Sequence, residues 1–338
     1  MGNKITVNVI AQSLGMSRNT VSKVLNGKYV PKKTKDLVLQ KAKELNYKSM
    51  GAVHEEEKAK ILLLSGKPLN SIPYFIPVVR RIENICYERE IDLYQYTIDK
   101  RKNVFDTLQD VVKNFSINGI ICIETLDTDT VNRILKLKIA TCFIDFPCVN
   151  ETQTNTNYDI VLPSSEEIGY IIKRCAEANI IKQVSFVGDY NHCLSFNRRY
   201  LTMVDSLFVN DYSHKMENDI TLNDATDLGD ITILKNSIEQ KAKNTNIFIC
   251  ANDFIANKTV LALKLLKKRI PEDVMVLGFD GTDEEKNEKP GITTINVEKE
   301  FVGQKAVDSL LERIAKGDIP KSTIYIASKL VIRDTLKF

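Results

Sequence analysis

Apolar and polar positions follow two different periods along this chain, and the change of period divides it in two. In the first 45 residues, apolar side chains recur every three or four positions, which predicts three short amphipathic helices. The first covers 6–14, the second lies between Ser17 and Gly27, and the third covers 34–45. From residue 60 onward, short apolar runs alternate with helical patterns. We therefore expect a small all-α head followed by an α/β body.

The second helix of the head combines an aliphatic back with a polar front. Three aliphatic residues point to one side of the helix: Val21, Val24 and Leu25. Steps of three and four place hydrogen-bonding and basic side chains on the opposite face: Arg18, Asn19, Ser22 and Lys23. Gly15 supplies the left-handed conformation of a tight turn before this helix, and Ser17 is an expected N-cap. This pattern is typical of a helix-turn-helix recognition helix, although an ordinary solvated helix fits it as well.

The distribution of charge separates these two interpretations. The whole chain has a net charge of only +3, but residues 1–50 hold ten basic and two acidic side chains, a net charge of +8. The remaining 288 residues therefore carry −5. A cationic head on a mildly acidic body favours a polyanion partner, namely nucleic acid. A flexible basic tail would lack the helical period and the caps.

Composition limits the class of protein further. With 338 residues and 43% hydrophobic side chains, the chain is long enough for two or three domains. No apolar run reaches the length of a membrane span, and the N-terminus lacks a signal-peptide core, so we expect a cytoplasmic protein. Seven scattered cysteines without a CxxC pair indicate reduced, structural thiols. We expect neither a metal site nor a cofactor.

The body is predicted to contain two parallel sheets. Candidate strands share short apolar runs, and they cover 60–65, 91–98, 119–123, 140–144, 159–162, 183–188, 246–250, 273–278 and 292–296. About ten strands in 280 residues are too many for one open sheet, which predicts two Rossmann-like subdomains.

Motifs of catalysis are not found in this sequence. No GxGxxG follows a strand, the SGKPLN stretch lacks the first glycine of a phosphate-binding loop, and there is no GxSxG elbow. The histidines are far apart in sequence and have no nucleophile at a suitable spacing: His54, His192 and His214. We therefore expect a binding protein rather than an enzyme.

The head sequence resembles the LacI/GalR family of bacterial transcription regulators. The shared pattern is TVxxxAxxxGxSxxTVSxxLNG, followed by a proline and a helix that ends in LNY. Further matches follow in the family's order: CANDFIA at 250–256, IPEDVMVLGFDG at 270–281, KPGITTI at 289–295 and KLVIRDT at 329–335. The resemblance covers essentially the whole chain, although Val9 replaces the family's usual aspartate and Gly281 replaces the second aspartate of its GFDD motif.

The resemblance implies a domain plan. The head would comprise residues 1–47, a linker 48–59, and the body 60–338, with the fold of periplasmic sugar-binding proteins. The chain would cross between subdomains near 160, 290 and 322. One subdomain would then contain about 60–159 and 291–322, and the other about 160–290 and 323–338.

The linker departs from the family pattern. In the family, this segment folds into a hinge helix on DNA and inserts a leucine into the minor groove. Counting from Tyr47, Glu56 occupies that position here, and Glu55–Glu57 would be repelled by phosphate. We therefore expect either a different wedge, a site that is not kinked, or a plain flexible linker.

Candidate DNA contacts follow from residue chemistry and from the resemblance. Three side chains suit base edges, since Arg and Lys pair with guanine and Asn with adenine: Arg18, Asn19 and Lys23. Five others would hold phosphates: Ser17, Thr20, Ser22, Asn26 and Tyr47. The lysines within 28–35 would add affinity that depends on salt.

Candidate contacts to a small effector follow the carboxyl ends of strands, where open α/β sheets bind ligands. The set is Ser65, Phe75, Asp145, Arg199, Asn252 and Asp280. By family position Arg199 is the cleft arginine, but the adjacent Arg198 leaves the register open by one. Any single Asp after a strand could instead cap a helix, which we expect of Asp253, and Phe75 could pack in the core as readily as stack on a ligand ring. The chain contains no tryptophan, so an indole platform for a sugar is excluded.

Together these observations predict a DNA-binding repressor that acts as a homodimer on a pseudo-palindromic operator. A sugar or related metabolite would gate it from the cleft between subdomains. Two alternatives remain at this point. One is an enzyme that carries a helix-turn-helix, and the other is a cytosolic small-molecule sensor whose head binds a protein.

Overall fold

The computed structural model describes residues 6–25, 30–45, 47, 58–69, 73–98, 104–124, 127–148, 157–221, 230–282, 290–317 and 319–338. Two compact units divide the chain at the position that the change of hydrophobic period predicts. They are Met1–Ala59 and Lys60–Phe338.

The first unit contains three helices around a small apolar core. These are α1 (Val7–Leu14), α2 (Arg18–Leu25) and α3 (Lys32–Glu44). Six buried side chains, contributed by all three helices, form the core: Ile10, Ala11, Val21, Val24, Val38 and Ala42. Gly15 ends α1 with a φ of 62°, which confirms the predicted left-handed turn. The third helix begins directly after Pro31, two residues earlier than predicted, because proline fits the start of a helix.

The first sheet of the second unit is parallel throughout. Its strands are β1 (Lys60–Ser65), β2 (Asp92–Thr97), β3 (Gly119–Ile123), β4 (Ala140–Ile144), β5 (Tyr158–Pro163) and β10 (Thr323–Ile326). They lie in the order β10-β5-β4-β3-β1-β2. Four helices belong to this half: α4 (Phe75–Glu88), α5 (Val104–Phe115), α6 (Thr128–Lys136) and α11 (Lys299–Lys316). Strands β3 and β4 are buried along their whole length, as expected of a parallel sheet covered on both faces.

The second sheet is smaller and ends in one antiparallel strand. Its strands are β6 (Val184–Val187), β7 (Ile247–Cys250), β8 (Met275–Asp280), β9 (Thr293–Val297) and β11 (Ser328–Val331), in the order β11-β9-β8-β7-β6. Only β11 runs against its neighbour, β9. The helices of this half are α7 (Glu166–Glu177), α8 (Leu194–Val209), α9 (Ile231–Lys241) and α10 (Asp253–Leu265).

The chain passes between the two sheets three times. It leaves the first sheet after β5, returns after β9 through α11, and leaves again between β10 and β11. Each passage lies a few residues further along the chain than the resemblance implies. The fold class is the predicted one: an all-α helix-turn-helix head and an α/β body of two Rossmann-like subdomains.

A buried ion pair fixes the returning helix α11 to the first sheet. Arg313 donates to both carboxylate oxygens of Asp159 on β5, at 2.5 and 3.2 Å, and both side chains are almost completely buried. Ser309 and the backbone N–H of Ser322 donate to the same carboxylate. A buried charge pair with all its lone pairs used is costly to break, because either partner alone would be left uncompensated.

The thiols and the hydropathy of the helices complete the picture of the fold. All seven cysteines are free, and only Cys148 is partly exposed. Across the described ranges, every helix falls short of the length and apolar character that crossing a bilayer requires.

Candidate functional site

Helix α2 presents a polar, solvent-exposed face on a buried aliphatic back. Val21 and Val24 are in the core of the head, whereas Arg18, Asn19 and Lys23 are exposed, and Ser22 is half-buried beside them. The side chain of Ser17 accepts a hydrogen bond from the N–H of Thr20 at 3.0 Å, as expected of an N-cap. The helix is therefore fixed by its buried valines and capped by Ser17, and its outward side chains are exposed to solvent.

The residues predicted to contact phosphate differ in their burial and in their hydrogen bonds within the protein. The hydroxyls of Ser17 and Thr20 are bonded to each other at 2.8 Å on the exposed surface. Tyr47 is half-buried against the core of the head, and its N–H donates to the carbonyl of Ala42. Asn26 and the acidic segment Glu55–Glu57 lie outside the described residues.

Arg199 is the centre of the polar cluster in the body. It comes from α8, is 3% exposed, and donates to the carbonyl of Ala251 and, at 3.2 Å, to Asp280. Its guanidinium lies 3.6 Å from the centre of the Phe279 ring, a close cation–π contact. The neighbouring Arg198 is exposed, so of the two arginines it is Arg199 that joins this cluster.

Asp280 ends β8 in an unusual backbone conformation. Its φ is 106°, a region that non-glycine residues rarely occupy and that is frequent at binding sites. Burial raises the pKa of its carboxyl group to about 7, while the Arg199 guanidinium opposes this shift. Lys299, the first residue of α11, donates to the backbone carbonyls of Asp280 and Gly281. An arginine, a lysine and a carboxylate thus meet where the two subdomains adjoin.

The structure corrects the predicted role of Asp253. Asn252 is the N-cap of α10, because its side chain accepts from the N–H of Ile255 at 2.9 Å. Asp253 instead turns inward, where it accepts from Thr294 on β9 at 2.6 Å and from the N–H of Thr282 at 3.0 Å. Burial raises the pKa of this carboxyl group in spite of those bonds. Asn252, one residue before the helix, therefore caps it. Asp253, the first helical residue, instead links β9 to the segment that follows β8.

Two neighbouring aromatic side chains, Tyr74 and Phe75, have different surroundings. Phe75 is 8% exposed and belongs to the apolar core. Its neighbour Tyr74 makes an edge contact with it, with ring centres 4.9 Å apart, and lies within the field of the polar cluster. Burial and the nearby Asp280 carboxylate raise the pKa of Tyr74 well above its usual range. Phe75 therefore takes the core role, one of its two expected roles, and Tyr74 is the ring near the polar cluster.

Asp145 and Ser65 follow strands of the first sheet, and both are bonded within the protein. Ser65 is buried at the end of β1, with its hydroxyl 3.2 Å from that of Thr97 on β2. Asp145 accepts from the N–H of Ser195 at 3.1 Å and from the Ser195 hydroxyl at 2.5 Å. Ser195 lies on α8, the helix that also carries Arg199, so Asp145 reaches across to the other subdomain.

The six candidate effector residues are therefore only partly brought together. Arg199 and Asp280 are in direct contact, and Asp145 joins the helix of Arg199. Ser65, Phe75 and Asn252 bond to or pack against their own surroundings. The sequence reasoning missed Tyr74, Lys299 and the aromatic floor under the arginine. A usable signal for that floor was the Phe immediately before Asp280 in the GFD motif.

In chemical terms this cluster has the groups that suit a polar molecule. It offers one guanidinium, one carboxylate whose pKa is near neutrality, and aromatic surfaces. The Nε atom of Arg199 is buried and is one of two buried side-chain polar atoms, within the described ranges, that have no hydrogen-bond partner. Those ranges contain no group of three metal-ligating side chains.

Comparisons with known proteins agree with this architecture. The periplasmic binding protein-like domain family matches residues 213–336. Among solved structures, a transcriptional regulator CelR–cellobiose complex superposes with a TM-score of 0.70 at 16% identity, covering 98% of this chain and 99% of that one. A lac repressor dimer bound to operator and the anti-inducer ONPF gives 0.66 at 20% identity, with the same coverage. In fold, the chain is similar to these proteins, with a helix-turn-helix head and a periplasmic-binding-protein-like body.

The sequence relatives match the chain over nearly its whole length. The transcriptional repressor PurR of Mannheimia succiniciproducens is 26% identical over 339 residues, with 98% of each chain covered. PurR of Haemophilus influenzae strain PittEE is 28% identical over 348 residues, again with 98% coverage of each. These matches agree with the resemblance to the LacI/GalR family over the whole chain, and the relatives themselves are named as transcriptional repressors.

Proposed function

We propose that this chain is a DNA-binding transcription repressor that acts as a homodimer on a pseudo-palindromic operator in the cytoplasm. A small molecule in the cleft of the body would control it. The observation that carries the proposal is the exposed face of α2. Its basic and amide side chains are exposed, whereas Val21 and Val24 behind them are buried and Leu25 is half-buried against the same core. No comparable surface would be needed by a head that serves only as a spacer.

The DNA part of the proposal assigns roles by side-chain chemistry. Arg18, Asn19 and Lys23 would read base edges in the major groove, where one short helix reaches only a few base pairs. Ser17, Thr20, Ser22, Asn26 and Tyr47 would hold phosphates and set the register. Tyr47 would do so from its half-buried position against the core of the head.

The first experiment measures binding to DNA at two salt concentrations. Full-length protein is titrated with a random-sequence duplex at about 50 and 200 mM salt. If the head contacts several phosphates, the rise in salt over this range should weaken binding by orders of magnitude, because binding releases counterions from the DNA. An affinity that does not change with salt would contradict DNA binding and favour a head that binds protein.

The ligand part rests on the polar cluster around Arg199. We propose that Ser65, Phe75, Asp145, Arg199, Asn252 and Asp280 line or support the effector site, with a carbohydrate as the expected class. Arg199 Nε, buried and without a partner, would donate to a ligand oxygen, and Asp280 would accept from a hydroxyl. Asp280→Ala should abolish the response to effector while leaving binding to random duplex unchanged. A variant that still responds would remove Asp280 from the site.

The dimer part rests on one face of α10. Phe254, Leu261 and Leu265 are 53%, 44% and 56% exposed, and they recur along one side of the helix. Beside them lies an open groove of about 590 Å³ formed with the start of α9, lined by Asp230, Ile231, Lys258, Leu261, Lys264 and Leu265. Its lysines and aspartate allow a second copy, turned by a two-fold axis, to pair opposite charges around apolar contacts.

Replacement of one leucine tests this interface. Leu261→Asp should shift the chain from dimer to monomer in sedimentation velocity and weaken operator binding, since two heads would no longer be coupled. Phe208→Asp on α8 is the matched control, because Phe208 is 81% exposed and lies on another helix. Dissociation by the control and not by Leu261→Asp would move the interface to α8.

A further inference from the structure

Strand β6 forms one edge of the second sheet, and no further strand of the described chain lies beyond it. Along a β-strand, the backbone N–H and carbonyl of one residue point to the same side, and successive residues alternate. The carbonyl of Val187 accepts from the N–H of Ala251 on the β7 side, so the backbone groups of Phe186 point outward. Unpaired outward groups of this kind offer an edge to which a strand of another chain can be added.

A short segment after α8 occupies this edge. The N–H of Ile220 donates to the carbonyl of Phe186, and the carbonyl of Ile220 accepts from the N–H of Gly188, both at 2.9 Å. The N–H of Phe186 instead donates to a side chain, the Oδ1 atom of Asp219, at 2.8 Å. The Asp219 carboxylate thus takes the place that a carbonyl of a neighbouring strand would have. We call residues 214–220 the edge cover.

Two further side chains hold the Asp219 carboxylate in this position. A 3-10 turn, Met216–Asn218, folds the chain back, so that the Nε2 atom of His214 lies 2.9 Å from the other carboxylate oxygen, Oδ2. The hydroxyl of Tyr200 on α8 also donates to this carboxylate. The side chains of His214 and Asp219 are only 6% and 2% exposed. A carboxylate accepts hydrogen bonds, so His214 donates from Nε2.

His214 makes its polar contact through one nitrogen. Its Nδ1 atom is buried and has no hydrogen-bond partner among the residues that the structure describes. The hydrogen bond from Nε2 to Asp219 therefore fixes the ring, and any side chain that places one N–H donor at that point can replace it.

We propose that the edge cover prevents β6 from pairing with β6 of a second copy of this chain, and that His214 locks the cover. The uncovered edge would present the same strand in every copy, the buried sequence VSFV, so a second copy is the partner that it would meet. Covering an edge is one of the ways in which proteins avoid such pairing. The proposal does not depend on DNA or on an effector.

Hydrogen exchange, measured residue by residue by NMR on the full-length protein, tests the lock. His214→Leu should speed exchange of the Phe186 and Gly188 amides by about tenfold or more, because a hydrogen bond to a carboxylate is lost. The amide of Val187, which faces β7, should change much less. His214→Gln should keep exchange slow at both outward amides, since its side-chain nitrogen can donate in place of Nε2.

Sedimentation velocity on the same samples tests the consequence for association. His214→Leu should form species larger than those of the unmodified protein, and their share should rise with protein concentration. Tyr200→Phe, which removes one hydroxyl from the same carboxylate, is the milder variant and should change exchange and association in the same direction. It provides the test if His214→Leu does not fold.

Ser185→Ala is the matched control. Ser185 is buried in the same strand, where its hydroxyl lies 2.6 Å from that of Thr245, so its loss weakens β6 and leaves the edge cover in place. Exchange of the outward amides and sedimentation should stay as in the unmodified protein. Equal changes in this control would overturn the proposal, as would slow exchange in both cover variants. Faster exchange without larger species would refute the role in keeping copies apart.

Discussion

The polar face of α2 and the cluster around Arg199 use similar side chains in opposite ways. On α2, the arginine, asparagine and lysine are exposed, and only the helix backbone holds them in place. In the body, the arginine and the carboxylates are buried and bonded to one another. A surface that is exposed to solvent can therefore change at little cost to the fold, whereas one member of a buried charge cluster cannot be removed without leaving another uncompensated.

The two arginines give the sharpest test of this difference. Arg199→Ala should lower the free energy of unfolding by about 3–5 kcal/mol, because Asp280 would remain buried without its partner. Chemical denaturation measures this. The neighbouring Arg198→Ala is the control and should change stability by less than about 0.5 kcal/mol, since that side chain is exposed. Equal losses of unfolding free energy in the two variants would show that burial of the arginine does not determine its contribution to stability.

On the DNA side, the expected effect is on discrimination rather than stability. Arg18→Ala and Asn19→Ala should each cost about 1–3 kcal/mol at the cognate base pair. Selection of preferred duplexes by each variant, with unfolding measured in parallel, checks both halves of the statement. If a variant selected the same sequence as the unmodified protein, the replaced residue would not contact base edges. A large loss of stability would contradict the contrast between the regions.

The pH dependence of stability tests the buried half of this comparison, the carboxyl group of Asp280. Because burial raises the pKa of Asp280 to about 7, the folded chain holds a proton there that the unfolded chain has released. Between the ordinary aspartate pKa near 4 and about pH 7, this group makes stability decrease as pH rises. Asp280→Asn should flatten that part of a plot of melting temperature against pH. An unchanged slope would assign the dependence to other groups.

The smallest expected effect concerns charge on the head. Lys33, exposed in the first turn of α3, is a candidate for phosphate contact without base reading. Lys33→Ala should weaken all duplexes about equally and reduce the slope of log affinity against log salt by about one. A change of sequence preference instead would place this lysine among the readers.

Periodicity and turn chemistry in the sequence were sufficient to predict the head and the division of the body. Gly15, Ser17 and the spacing of the buried valines are local signals, and the structure reproduces them. The pairing of Arg199 with Asp280 depends on residues 81 positions apart, which only the family resemblance brought into view. The inward turn of Asp253 and the use of Phe75 by the core depend on the packing of neighbouring strands. Local pattern carries no information on such choices.

The path of the chain through both sheets also determines when the protein can be completed during synthesis. The first subdomain lacks β10 and α11 until residues 299–326 have been made, and the second lacks β11 until residue 331. Asp159 is synthesised 154 positions before its partner Arg313. Until Arg313 is made, Asp159 is an unpaired carboxylate on a strand that α11 does not yet cover. Such distant contacts are slow to form, and the incomplete sheets are exposed to aggregation. A ribosome that stops early thus releases a head able to fold, attached to a body that cannot close.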